Sequence, residues 1–315
     1  MNLNMNKYLS HGRISHRHLL AVAWNWTLIA GAIAASEHFQ SWPLTLLALI
    51  VIGARQHALV VMMHDAAHVH FAKNKTLNDW LSNLFCAFPL TLETEVYRKV
   101  HLTHHRHLNT RQDPDLLRKE TQSGWNLPAP AGKVALFIPS FIFVFGPKEM
   151  AFLLWGFSGF GTPKRFLTET RFMALKMSYY AIIALAIWKL HAGAEFLLYW
   201  MVPMLFVLPF VARVRNLSEH AVVSMVDENN STREVIPGPI ESFLLAPHDV
   251  HFHLTHHHYP QIPFFNLRKA HHDLMASGFY IGAHINRSYF YPYHNSVLRD
   301  VIHGPPMKNS DQKAA

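Results

Sequence analysis

The chain has 315 residues, of which 50% are hydrophobic, and a formal net charge of +8. It contains one cysteine, Cys86, which excludes an intramolecular disulfide and a cysteine-based zinc or iron–sulfur site made by one chain. The length suits either two soluble domains or one membrane domain, so the distribution of the apolar residues decides between these classes.

After a polar, basic lead (residues 1–18), the apolar residues are concentrated in runs without a charged side chain. A transmembrane helix needs roughly 20 apolar residues; two of the runs approach this length, and the other two reach it with their flanks. We therefore predict an all-α integral membrane protein with about four transmembrane helices in two hairpins. The alternative is a soluble helical protein with unusually apolar buried helices. The runs are Leu19–Ala35, Trp42–Ala54, Met177–Trp188 and Phe196–Ala212.

Two further apolar stretches do not have the pattern expected of a single uninterrupted transmembrane helix. The amphipathic stretch "LNDWLSNLFCAFPLTL", residues 77–92, predicts a helix that lies in the membrane interface. Residues 134–160 are apolar, but "GPKE" at residues 146–149 is expected to cut them into two pieces, each too short to span. We predict an interfacial or re-entrant segment there. One kinked crossing is the alternative, and it would reverse the sidedness of everything downstream.

The positive charges cluster at the ends of the predicted spans, and Lys189 is the sole basic residue in the two predicted outer loops apart from histidine. By the positive-inside rule, the polar segments and both termini face the cytoplasm, as in a multi-pass protein of the bacterial inner membrane. Nucleic-acid binding would also suit a basic chain but is not expected, because these charges follow the span ends. We predict one domain over residues 1–315, with a disordered tail at 304–315.

Histidine accounts for 25 of the 315 residues, and three clusters of it have helical spacing. Side chains at positions i, i+3 and i+4 share one face of a helix, so each cluster can direct its imidazoles at one point. Eight such ligands exceed what one ion holds, and the pattern predicts two transition-metal ions. The clusters are His64 and His68; His101, His104 and His105; and His253, His256 and His257.

The segments "HDAAH", "YRKVHLTHHRHLNTRQDPD" and "HFHLTHHHYPQIPFFNL" resemble the three histidine boxes of the membrane fatty acid desaturases in order, separation and flanking residues. The resemblance covers roughly Gly53 to Gly278. It implies a non-haem centre of two irons, held in a cytosolic helical cap by the eight box histidines. Members often add a ligand after the last span, which here would be His220, with Asn216 on the same helical face binding directly or through water.

Several residues near the boxes are predicted to support the metal centre. Carboxylates beside the boxes can accept the second ring proton of a liganding imidazole, although capping and turn formation are alternative roles. His57 shares a helical face with His64 and is predicted to line a substrate channel. Arg55 is predicted to anchor a polar head group or an internal carboxylate, since charge at membrane depth usually marks function; its alternative is to reach the membrane surface. The carboxylates are Asp65, Asp113, Asp115, Glu219 and Asp249.

The resemblance implies an oxidoreductase of lipid metabolism: an O2-dependent desaturase that introduces a double bond into an acyl chain or a similar aliphatic substrate. A hydroxylase or ketolase of the same architecture is one alternative, and a metal-binding membrane transporter is a remote one. The sequence contains no haem-binding, ferredoxin or flavin motif. We therefore expect a separate ferredoxin- or rubredoxin-like electron donor that docks on the basic cytosolic cap, beside the membrane lipids.

The stretch "VHFHLTHHHYPQIP" contains more histidines than one box requires. The register HxxHHxxP fits His253, His256 and His257, and it repeats the spacing of the second box. His251 and His258 fall outside this register, as does His248. We predict that these three do not bind iron directly.

Overall fold

The structure is a computed structural model that describes residues 4–10, 12–121, 126–223 and 228–305, most of which are helical. Two short strands, β1 (Glu234–Val235) and β2 (Ile285–Asn286), pair in parallel and depart from the all-α prediction. Residues 306–315 of the predicted tail lie outside the described residues. The helices are α1 (His16–Phe39), α2 (Trp42–Ala67), α3 (Lys75–Ser82), α4 (Thr94–His107), α5 (Pro114–Thr121), α6 (Ala131–Phe157), α7 (Arg165–Thr168), α8 (Thr170–Lys189), α9 (Gly193–His220), α10 (Pro239–Leu245), α11 (His253–His258), α12 (Phe264–Ala276) and α13 (Val297–His303).

By length and composition, five of the described helices could cross a membrane, rather than the four predicted: α1, α2, α6, α8 and α9. The additional one is α6, and the expected break at residues 146–149 is wrong. The π-helical turn Phe141–Phe145 continues directly into an α-helical segment whose first turn contains Pro147. Proline is tolerated in a first turn because it replaces an N–H group that has little need of a partner there.

The described chain divides into two compact units. We call Met1–His11, Val100–Phe141 and Ala212–Ala315 the histidine unit, and Gly12–Lys99 and Ile142–Val211 the hairpin unit. The single-domain organisation stays a prediction.

In the hairpin unit, α1 packs against α2 after a turn in which Gln40 is left-handed, with a φ of 45°. Helix α2 supplies much of the core, including Ile52, Leu59 and Met62, which have no exposed surface. Large apolar side chains of α1 and α8 such as Trp24 and Ile182 are exposed instead. Such an apolar surface marks contact with a partner or a membrane.

Helix α2 also approaches α9 closely at Gly53. A Cβ atom at this position would lie 2.4 Å from Cβ of Val207, closer than atoms can pack. Small residues at such crossings allow membrane helices to approach one another. The predicted interfacial stretch at residues 77–92 is helical, as α3, the π-helical turn Asn83–Ala87 and the 3₁₀ turn Phe88–Leu90. Its location in the interface stays a prediction.

In the histidine unit, a core cluster joins Tyr8 to Phe252 and Leu267. Tyr8 belongs to the 3₁₀ helix Met5–Tyr8, so part of the polar lead is built into this core. Its hydroxyl hydrogen-bonds Asp273 of α12, and Nζ of Lys7 lies 3.0 Å from the same carboxylate. This anchoring was not predicted from the sequence.

Candidate metal centre

In the histidine unit, α4 and α11 direct imidazole nitrogens at one another. Nε2 of His105 lies 3.0 Å from Nε2 of His101, one helical turn away on α4. It also lies 3.0 Å from Nε2 of His256 on α11. His101 and His256 are both buried, and His105 is partly buried. We call these three residues the first histidine group.

A second histidine group forms where α9 ends. Nε2 of His253 lies 2.9 Å from Nε2 of His220, the last residue of α9, and 3.0 Å from Nε2 of His257. His104 joins this group, since its ligand nitrogen and those of His220 and His257 lie within 4.8 Å of one another. The two groups therefore divide the second and third boxes between them, and His220 comes from a third helix.

The spacing of these nitrogens fits two coordination shells. Two nitrogens that are each about 2.1 Å from one metal ion and roughly 90° apart lie about 3.0 Å from each other. A neutral imidazole has one donor and one acceptor nitrogen, so hydrogen bonds alone do not explain why three Nε2 atoms meet at His105 and three more at His253. Neutral imidazole nitrogens suit iron, copper, zinc and nickel.

A carboxylate lies beside the second ring nitrogen of one histidine in the second box and of one in the third. Nδ1 of His104 donates to Oδ1 of Asp113 over 2.9 Å, and Nδ1 of His253 lies 3.5 Å from Oε1 of Glu219. Burial alone would raise the pKa of Asp113, but the hydrogen bond from His104 and those from backbone N–H groups hold it below its ordinary value. Burial and the neighbouring histidines hold the pKa of His253 well below its ordinary value, which favours the neutral form that binds metal.

The remaining polar residues predicted near these groups differ in their surroundings. Oδ1 of Asn216, one turn before His220, is buried and has no hydrogen-bond partner among the described residues, as a direct or water-bridged ligand would require. Asp115 lies in the first turn of α5, where its backbone N–H donates to Asp113. Asp249 pairs over 2.5 Å with Arg268. The roles of these residues at a metal stay predictions.

In the hairpin unit, the first box lies at the end of α2. His64 is buried, and its ring centroid is 5.3 Å from that of His68, the residue that caps the helix. Asp65 lies beside them, with its carboxylate oxygens 3.6 Å from Nδ1 of His64 and 3.0 Å from Nε2 of His18 on α1. Nδ1 of His70 lies 3.6 Å from the same carboxylate. His18 and His70 were not singled out from the sequence, because neither belongs to a box.

The two residues predicted at a substrate channel are buried in α2. Arg55 and His57 are 2% and 1% exposed, so within the hairpin unit Arg55 does not reach the surface. Nη1 of Arg55 lies 3.5 Å from Oδ1 of Asn25 on α1. The extra histidines of the third box have other surroundings: Nε2 of His258 contacts Oδ1 of Asn229 at 3.0 Å, and the ring of His251 packs against Phe252.

Comparison with known proteins agrees with this geometry. Residues 40–289 match the family model described as fatty acid desaturase, which covers all three boxes and His220. The chain belongs to the fatty acid desaturase family.

Several named desaturases are similar to it. The chain is 31% identical to the dihydrorhizobitoxine desaturase of Bradyrhizobium elkanii, over 84% of this chain and 78% of that protein. It is 26% identical to a chloroplastic omega-6 fatty acid desaturase of Brassica napus, over 81% of this chain and 60% of that protein, so it spans less than two thirds of that relative. An sn-1 acyl-lipid omega-3 desaturase (ferredoxin) of Synechocystis is 35% identical over 25% of this chain and 21% of its own length. These relatives support the predicted desaturase over the hydroxylase, ketolase and transporter alternatives.

Two residues that belong to none of the three boxes lie next to the second histidine group of this fatty acid desaturase family member. Arg233 and Glu234 have no exposed surface; Arg233 donates to the carbonyl oxygen of Ser218 in the helix that carries His220, and Glu234 accepts from the backbone N–H of Thr255 in the helix that carries His253. The sequence offered little sign of them, because a single Arg-Glu pair beside a short strand has no distinctive spacing.

Proposed function

We propose that the protein is a membrane-bound, O2-dependent di-iron desaturase acting on an acyl chain or a similar aliphatic substrate. The observation that carries this proposal is the convergence of seven imidazoles in two groups: each group contains two Nε2···Nε2 distances of 2.9–3.0 Å, and the ligand nitrogen of His104 lies within 4.8 Å of those of His220 and His257. Family membership supports the reaction type and the use of iron. Removing two hydrogens from a CH2–CH2 unit, with O2, two electrons and two protons, yields an alkene and two water molecules.

The residues divide between two irons. We assign His101, His105 and His256 to one iron. His64 and His68 of the first box are proposed as further iron ligands, because they complete the three boxes that the family model covers. When bound, the two irons would supply the activation of O2. The chain would fix the orientation of the His104 ring through the Asp113 carboxylate, which accepts the hydrogen bond from Nδ1. The second iron takes His104, His220, His253 and His257, with Asn216 as a direct or water-bridged ligand.

The proposed setting is a bacterial inner membrane, with the boxes and both termini on the cytoplasmic side. The five apolar helices support a membrane location. The two units would act as one desaturase domain, in which His57 lines the substrate path and Arg55 anchors a polar group of the substrate. If Arg55→Leu leaves both the apparent affinity for substrate and the turnover unchanged, the anchoring role is wrong.

The electrons would come from a separate acidic ferredoxin- or rubredoxin-like protein. Exposed basic side chains of the histidine unit, among them Lys7, Arg106, Arg111 and Lys269, would attract such a donor. One similar protein carries "ferredoxin" in its name. Charge reversal at Arg106 and Arg111 should then slow reduction by a ferredoxin at low salt more than at high salt.

The decisive experiment measures iron and product together. Protein purified anaerobically with iron supplied should hold about two irons per chain, and host cells expressing it should accumulate an unsaturated lipid or metabolite. His105→Ala should remove mainly the first iron and His253→Ala mainly the second, because each residue is central to one group. Absence of iron from the unmodified protein would refute the proposal. An alcohol in place of an alkene would point to the hydroxylase alternative.

A further inference from the structure

Two adjacent side chains of opposite charge lie buried beside the second histidine group. Arg233 directly precedes β1, and Glu234 is the first residue of that strand. Both have a relative exposure of 0%. Burying a charge is costly unless it is paired and hydrogen-bonded, so the partners of these two side chains indicate their role.

Arg233 binds the carboxyl end of α9. Its Nη1 donates to the carbonyl oxygen of Ser218 over 3.2 Å, and its Nη2 donates to those of Ala221 and Val222 over 3.0 and 2.8 Å. The last carbonyl groups of a helix have no partner within the helix, and a cation is favoured at that end. Arg233 therefore fixes the turn that contains His220.

Glu234 binds the amino end of α11. Its Oε1 accepts a hydrogen bond of 2.9 Å from the backbone N–H of Thr255 and a second one from the Thr255 hydroxyl. Thr255 lies between His253 and His256, and its N–H is one of the donors that a helix leaves unpaired in its first turn. Oε2 of Glu234 lies 2.5 Å from Nδ1 of His271 on α12.

We propose that Arg233 and Glu234 are a positioning pair for the second iron of the proposed di-iron site. Arg233 binds the end of the helix that carries His220, and the adjacent Glu234 binds the start of the helix that carries His253. The pair therefore joins these two helix ends. The Nε2 atoms of these two histidines lie 2.9 Å apart, so a small shift of either helix end would separate them. This inference rests on the proposed function, because it concerns the affinity for a metal that the function requires.

The competing explanation is that the pair only stabilises the fold. Glu241 provides a matched control, since its carboxylate also accepts backbone hydrogen bonds, from Tyr289 at 3.0 Å and Phe290 at 2.8 Å. Tyr289, Phe290 and Tyr291, whose backbone N–H groups bond to Glu241, all lie outside α9 and α11. Replacing Glu241 by alanine should therefore lower thermal stability without altering the affinity for iron.

The test measures iron affinity by competition with a chelator, iron per chain, the Mössbauer spectrum of the ⁵⁷Fe-loaded protein, and the melting temperature of the iron-free protein. Loss of a group that orients a metal ligand typically weakens metal binding about 10–100-fold. Glu234→Ala should weaken one iron site by this factor and change the spectrum of that site. Glu234→Gln, which keeps an acceptor for Thr255, should restore most of the affinity.

Equal iron affinity in Glu234→Ala and Glu241→Ala would overturn the positioning role. If Glu234→Ala does not fold, Arg233→Lys and Glu234→Asp decide instead: a weakened second site supports the pair, and two irons bound with unchanged affinity contradict it. An unmodified protein that binds no iron would refute the proposed function. An unmodified protein with two irons and insensitive variants would refute the positioning pair alone.

Discussion

The third box allows a sharp test, because neighbouring histidines of one short helix have different surroundings. Nε2 of His256 is 3.0 Å from Nε2 of His105 in the first histidine group. His258, two residues later, directs its Nε2 at the side-chain oxygen of Asn229, also at 3.0 Å. We therefore predict that His256→Ala abolishes activity and the loading of one iron, whereas His258→Ala leaves two irons and substantial activity.

The expected losses of iron affinity and of stability follow from what each of the two rings contacts. Structural zinc sites with four ligands bind with about 10–16 kcal/mol, or roughly 3 kcal/mol and about a hundredfold in affinity per ligand, and we take this as the scale for one histidine ligand of iron. Removal of the His256 imidazole should weaken the first site by at least this factor. The partly buried hydrogen bond of His258 contributes about 1 kcal/mol to stability, and its loss should lower the melting temperature by only a few degrees.

Both variants would be loaded with iron anaerobically and separated from free iron. Iron per chain would be measured before and after exposure to a competing chelator. Product would be measured by comparing lipid and metabolite profiles of cells that express each variant. Circular dichroism would establish that both retain the helical content of the unmodified protein. Equal loss of iron in the two variants would mean that the register HxxHHxxP has been assigned wrongly.

Three further predictions concern stability. Gly53→Ala should destabilise the protein in detergent by about 1–3 kcal/mol through overpacking, whereas Gly31→Ala, which meets nothing within 4 Å, should not; equal melting temperatures would contradict this. Lys176→Met removes the buried ammonium that lies 3.0 Å from Glu93, and it should cost less than the about 3–5 kcal/mol of an unpaired buried charge, because Arg165 stays 2.8 Å from the same carboxylate; a larger loss in denaturant unfolding would contradict this shared pairing. Hydrogen bonds from the amino-terminal segment lower the pKa of Asp273 to about 2. The stabilisation that ionised Asp273 provides should be present above about pH 4 and be lost as the pH falls towards 2. The free energy of unfolding of Asp273→Asn should therefore depend less on pH in that window than that of the unmodified protein.

Hydropathy predicted the positions of the apolar helices because it depends on local sequence. The run Trp42–Ala54 is the apolar start of α2, which continues to Ala67 through the first box. The failure at residues 146–149 has a physical cause. A glycine, a proline and two charges suggest the end of a helix, but a π-helical turn can pass directly into a new first turn, where proline is acceptable.

The histidine spacing predicted which rings share a helical face, and the structure brings His101 and His105 together as that spacing requires. The division into two groups was not predictable, because it depends on the angle between α4 and α11. His105 turns towards His256, whereas His104 lies with His220 and His257. These contacts join residues up to 153 positions apart, and a helical period carries no information over that distance.

The supporting shell is the part least visible in sequence, and its chemistry explains why. Arg233 and Glu234 bind main-chain carbonyl and N–H groups, which every residue supplies, so their partners leave no motif. Asp113 could be proposed because it lies nine residues from His104 in a turn-forming "DPD". Glu234 is 21 residues from Thr255 and acts on the backbone as well as the hydroxyl. Histidine spacing therefore predicts the proposed metal centre, whereas the buried charges proposed to position its helices become apparent only when burial and hydrogen bonds are known.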